Sequence, residues 1–322
     1  MIATSGQTAT RLAHFFSAGK KRRFIDLMPW TLLLVLATVG ILSKGGLFLS
    51  SSNLSNIVQQ SVIIGILAIG QFVVVLTGGI DLSVGSVMAL MAMITGMSLP
   101  LGSPLAVGIT LLAGSAVGVT SGLMIVYARM PPFIVTFAMM TICRGLALTV
   151  TSGNSVQVPE TPLLALGFGW QKIAVWVVVI GIIWYLLNQT RTGTHIYAVG
   201  GNPEAARVSG INTTGVLILV YAISGLCGAI AGILSFTRNG GVAVPTSGQG
   251  YEMQTIAAVV LGGVSLFGGE GRFSGAVAGV VFVVTLRNIL DLSNADAFWS
   301  FCVIGVVLWI AVVLRGILER IH

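Results

Sequence analysis

Apolar runs of membrane-crossing length, separated by short polar breaks, fill almost the whole sequence. Ten can be marked: 28–43, 56–76, 83–99, 104–128, 132–150, 172–189, 214–235, 253–267, 273–290 and 297–315. A helix needs about 20 apolar residues to cross a hydrocarbon layer of roughly 30 Å. The pattern therefore predicts an all-α, polytopic membrane protein of about ten transmembrane helices. Residues 1–27 form a polar, basic tail and residues 28–322 the transmembrane domain. The apolar run after the tail has no small-residue cleavage site at its start, so it reads as a permanent helix and not as a secretory signal.

Two glycine-rich breaks resemble each other at a distance of 190 residues. Leu76–Val87 reads LTGGIDLSVGSV and Leu266–Val277 reads LFGGEGRFSGAV, sharing Leu76/Leu266, Gly78/Gly268, Gly79/Gly269, Gly85/Gly275 and Val87/Val277. This predicts two pseudo-repeated halves with broken helices. Non-helical backbone at membrane depth is tolerated only where it is buried in protein or lines a wet cavity. Repeated, glycine-interrupted spans point to a transport pathway between two halves.

Composition supports the membrane assignment and narrows the chemistry. The mean hydropathy is +1.00, with 55 % hydrophobic and 8 % charged residues, which leaves no aqueous core to build. The net charge of +7 does not indicate nucleic-acid binding, because most basic residues sit at the ends of apolar runs. With ten crossings, eleven Lys and Arg fall on one side, and five on the other side or within spans. The positive-inside rule then places both termini in the cytoplasm. Cys143, Cys227 and Cys302 stand singly in apolar runs, so neither a disulfide frame nor a metal cluster is expected.

No phosphate-binding G-x-x-x-x-G-K-[ST] loop occurs, so the chain has no ATPase site of that kind. No catalytic residues, metal site or cofactor are expected; His14, His195 and His322 lie far apart. The remaining ions sit near span ends, except Arg144. That residue lies inside the fifth span, where it should snorkel or pair with a backbone carbonyl. Asp81 has two readings: contact with a hydroxyl of a transported solute, or capping of the helix that starts near Ser83. A path for an uncharged polar solute needs hydrogen-bonding groups and apolar faces. Gln71, Thr77, Thr141 and Asn288, with Phe72, Phe133 and Phe137, are the candidates for it.

The polar stretch 190–213 contains GGNPEAARVSGI. Asn202 suits an N-cap, Pro203 the first helical position and Glu204 the first turn. Gly210 can close the helix in the left-handed conformation. A helix of about two turns is therefore predicted, too short to be stable alone.

GGNPEAARVSGI, together with TGGIDLSVGS at 77–86 and IAAVVLGGVSLFGGEGR at 256–272, resembles the membrane permeases of ribose-type sugar ABC importers. The resemblance spans roughly residues 25–315. It implies a bacterial inner-membrane permease without its own ATPase, in which two permease chains pair, expected here as a homodimer. A cytoplasmic ABC ATPase would dock beneath and a periplasmic binding protein would deliver a monosaccharide. By the same resemblance Asn202, Pro203, Glu204, Ala205, Ala206, Arg207, Ser209, Gly210 and Ile211 form the helix that couples to the ATPase. The segment with Gly78, Gly79, Asp81 and Ser83 matches the motif near the translocation pathway. The rival readings are a branched-chain amino-acid ABC permease of the same architecture and an ion-coupled secondary transporter.

Overall fold

The structure, a computed structural model, describes residues 27–158 and 160–295, with scattered positions between 299 and 313. Residues 1–26 of the basic tail and most of the tenth expected span lie outside the described residues. Among the described residues, eight helices are long and apolar enough to cross a membrane. They are α1 (Leu27–Lys44), α3 (Ser51–Leu76), α4 (Val84–Leu101 with its closing 3-10 turn), α5 (Ser103–Tyr127), α6 (Pro132–Thr149), α7 (Gln171–Gln189), α10 (Thr213–Arg238) and α12 (Phe273–Leu292). Shorter helices complete the set: α2 (Gly46–Leu49), α8 (Arg191–Gly201), α9 (Pro203–Val208) and α11 (Tyr251–Leu261). Two short strands, β1 (Val156–Gln157) and β2 (Val242–Ala243), pair antiparallel with Val156 opposite Ala243.

The eighth expected span is corrected. Instead of a helix over 253–267, α11 stops at Leu261, because Gly263 takes φ 81°. There Val264 N–H donates to the Val259 carbonyl at 3.2 Å and Gly263 N–H to the Val260 carbonyl at 2.9 Å. This is the Schellman arrangement, which a glycine after the cap permits. The same pair of bonds closes α3 at Gly78 and α10 at Gly240. Apolarity alone continued the eighth span too far; the glycine decides its end.

α3 and α10 occupy the centre. Each is 26 residues long, ends in that glycine motif and leads through non-helical backbone into a short helix, α4 or α11. They run antiparallel, with Gly70 of α3 against Ser224 and Cys227 of α10. α5 joins α10 through a seam of small residues. Gly114, Gly118 and Gly122 lie one turn apart and rest on the backbone or Cβ of Gly225, Ala229, Tyr221 and Ile218. Without a hydrophobic drive between helices in lipid, such close backbone approach supplies the packing energy.

The two non-helical stretches enter the bundle from opposite ends. Residues 77–83 lead from the end of α3 to the start of α4, and 244–250 lead from β2 to the start of α11. The second stretch meets the first turn of α4: a Cβ on Gly85 would collide with the carbonyl of Gly248. The helical N-termini of α4 and α11 thus lie together inside the bundle.

Candidate functional site

The break at 77–83 is held by three helices. The Asp81 carboxylate accepts from Ser83 N–H at 2.8 Å, Ser83 Oγ at 2.6 Å and Ser224 Oγ of α10 at 2.6 Å. With its amide oriented to satisfy both ends, Gln71 of α3 donates to the Asp81 carbonyl at 2.8 Å and accepts from its N–H at 3.3 Å. Thr136 of α6 donates to the Ile80 carbonyl at 3.0 Å. Gln71, Asp81 and Ser83 therefore come together as one buried network, and it satisfies backbone that no helix serves. Asp81 lies 5 % exposed and Gln71 is fully buried.

Other expected pathway residues separate into different surroundings. Phe72 is fully buried, edge-on to Phe273 with ring centroids 5.6 Å apart. Asn288 is buried and bonds to Asn53. Thr77 donates to the Val74 carbonyl at 2.8 Å, within its own helix end. Gly79 packs against the Tyr221 hydroxyl. Phe133 and Phe137, by contrast, are 57 % and 51 % exposed on α6 and stack in parallel with centroids 6.3 Å apart. Thr141 is exposed on the same helix.

At the end of the bundle that carries α8 and α9, three backbones meet with almost no side chains between them. A Cβ on Gly200 would collide with the Leu76 carbonyl, and one on Gly268 would press on Gly78 N–H and the Gly200 carbonyl. Gly269 N–H donates to the Leu76 carbonyl at 2.9 Å. Tyr197 of α8 donates from its hydroxyl to the Gly271 carbonyl at 3.1 Å, and its burial raises the phenol above its ordinary range. The two look-alike loops of the sequence thus touch each other, with α8 wedged against both.

α9 hangs from this junction. Asn202 Oδ1 accepts from Ala205 N–H at 2.9 Å, Pro203 begins the helix, and Gly210 takes φ 83°. Ile211 N–H donates to the Ala206 carbonyl and Gly210 N–H to the Arg207 carbonyl, both at 3.0 Å. Ala206 alone of the helix is buried, while Ala205, Ser209 and Gly210 are exposed. Arg207 and Glu204 pair on the outside at 2.6 Å, and that contact holds the Glu204 carboxyl below its usual range.

α8 was not expected; the sequence reads there as a polar loop. Its signal was Thr190, whose hydroxyl accepts from Gly193 N–H, followed by Ile196 and Val199 on one buried face. The second break, 244–250, falls in the connection expected between the spans 214–235 and 253–267, and VPTSGQG carries the Pro and Gly marks of non-helical chain.

Residues 53–312 match the family model described as "Branched-chain amino acid transport system / permease component". The chain belongs to this family. Among its relatives, the ribose import permease protein RbsC of Escherichia coli (strain K12) is 39 % identical, over 88 % of this chain and 91 % of that protein. The fructose import permease protein FrcC of Rhizobium meliloti is 36 % identical, over 94 % and 89 %. The xylose transport system permease protein XylH of Escherichia coli (strain K12) is 32 % identical, over 85 % and 87 %. No solved structure matches the chain.

Proposed function

We propose that this multi-pass chain is the membrane permease of a binding-protein-dependent ABC importer that carries a monosaccharide across the bacterial inner membrane. The observation that carries the reading is the likeness over most of the chain to permeases named for three different monosaccharides. Although the family model is described by branched-chain amino acids, these relatives favour a sugar. Asp81, the one buried acid among the described residues, spends its carboxylate on three protein donors. That arrangement suits a structural strut better than an ion-coupling site.

The work is done by a separate cytoplasmic ATPase, which seats α9 in a cleft; both termini then face the cytoplasm. Movement of α9 passes through α8 to the glycine junction, and from there to the breaks after α3 and α11. Differential affinity of the nucleotide-bound and nucleotide-free ATPase for two permease arrangements supplies the drive. The far end, with β1, β2 and the 151–171 connection, receives the periplasmic binding protein. A second copy of the chain completes the pathway, and the exposed α6 face with Phe133, Phe137 and Thr141 is where the two copies border it.

The test is reconstitution in liposomes. The chain alone should move no sugar under a proton or sodium gradient, whereas the chain with its ATPase, binding protein and ATP should. Gradient-driven uptake by the lone chain, or full ATP-driven import after disruption of Glu204–Ser209, would overturn the reading.

A further inference from the structure

Arg144 is held in a way that leaves part of its guanidinium unspent. Nη1 donates to the Pro245 carbonyl at 2.7 Å and to the Ser247 carbonyl at 2.8 Å. Among the described residues, neither Nε nor Nη2 makes a hydrogen bond. The anchor lies deep: Ser247 adjoins Gly248, whose backbone abuts Gly85 at the start of α4. From Gly85 to Ser98, at 1.5 Å per residue, is about 20 Å of a hydrocarbon layer of roughly 30 Å. The side chain therefore does not snorkel out to the interface.

Unspent donors of a cation at that depth are strongly disfavoured against lipid. The α6 face that bears them must look onto water or a polar solute. At 100° per residue, positions 133, 137, 141 and 144 fall within about 80° of one another. Phe133, Phe137 and Thr141 are all exposed on that face. Glu252 lies close enough to offset part of the charge.

We propose that Arg144 is a specificity-determining contact for the transported sugar. Its Nη1 is fixed by the two carbonyls, while Nε and Nη2 donate to neighbouring hydroxyl oxygens of a monosaccharide. The planar fork suits two adjacent acceptors, which a lysine cannot match. The stacked rings of Phe133 and Phe137 offer an apolar surface to the sugar's C–H face. Because the carbonyls belong to 244–250, movement of that segment turns the guanidinium towards or away from the path. This inference rests on the reading of the chain as a sugar permease.

The test uses the full chain assembled with its ATPase and binding protein, with ribose, xylose and fructose as competing probes of uptake. Arg144→Lys keeps a donor for the two carbonyls but loses the fork, and Arg144→Gln loses the charge. Both should reduce uptake roughly tenfold, the worth of one lost charge-assisted bond, and should shift the preference among the three sugars about threefold or more. An unchanged preference, whether or not the rate falls, overturns the proposal and leaves Arg144 an anchor. Where neither variant assembles, Thr141→Cys decides, in a chain whose Cys143, Cys227 and Cys302 are replaced by Ala. A membrane-impermeant maleimide should label it, and labelling should slow with sugar present; no labelling, or labelling indifferent to sugar, overturns it. An unaltered complex that imports no monosaccharide, these three or other pentoses and hexoses, refutes the functional reading itself, whereas Thr141→Cys labelling still reports whether the Arg144 face is wet.

Discussion

Asn53 and Asn288 exchange amide hydrogen bonds of 3.0 and 2.7 Å across 235 residues of sequence, clamping α3 to α12. Asn53 also donates to the Phe48 carbonyl at 2.9 Å, so one buried amide serves three elements. Asn288→Ala strands the Asn53 oxygen and should lower stability by about 1–2 kcal/mol. A denaturant titration in detergent reads this directly. Were Asn288 instead a contact for the solute, the variant would unfold like the parent and fail only in uptake.

Gly200 and Gly201 are adjacent, yet only the first is confined. A Cβ on Gly200 meets the Leu76 carbonyl and Gly269 N–H, while around Gly201 there is open space. Gly200→Ala must push α8 off the two glycine loops and should abolish ATP-driven uptake. Gly201→Ala, at a helix end with no positive φ, should match the parent within about 0.5 kcal/mol and in transport. Equal behaviour of the two variants would show that the junction transmits nothing.

Beside the Asp81 network, Tyr221 buries a hydroxyl that makes no hydrogen bond among the described residues. An unpaired buried hydroxyl is a cost, so Tyr221→Phe should be neutral or stabilising by up to about 1 kcal/mol. Ser224→Ala, a small change beside it, removes a 2.6 Å bond to a carboxylate and should destabilise by about 1.5–3 kcal/mol. Thermal unfolding of the two variants side by side should move in opposite directions, or only the serine variant should move.

Seven of the expected spans agree with α1, α4, α5, α6, α7, α10 and α12 to within about three residues, and the one matching α3 starts late, because length and apolarity are local properties. The caps of α9 were legible for the same reason: Asn202, Pro203 and Gly210 act on their nearest neighbours. What a polar residue inside an apolar run does was not legible. Gln59 accepts from Lys172 at 2.7 Å, and Asn288, a candidate for the pathway by type, bonds to Asn53. Partners 113 and 235 residues away leave no local mark. The 190-residue repeat was real as a likeness, but its two copies mark a meeting point at Gly78 and Gly268. The element pattern itself recurs elsewhere, as α3 with α4 and α10 with α11.

Glu204 and Arg207 have side chains 72 % and 66 % exposed, three residues apart on α9. An exposed pair of this kind contributes little to folding, so its place on the surface is open to another role. The carboxyl sits below its usual range through its bond to Arg207. Since the folded value is the lower one, the pair persists above the unfolded carboxylate range and is lost only as pH falls through that depressed value. Between about pH 6 and 8 it is fully charged. Arg207→Glu should therefore leave the thermal unfolding of the isolated permease unchanged across that interval, while greatly lowering ATP-driven uptake and co-purification of the ATPase. An equal loss of unfolding temperature and uptake would assign α9 to the scaffold, and full uptake would remove it from the coupling path.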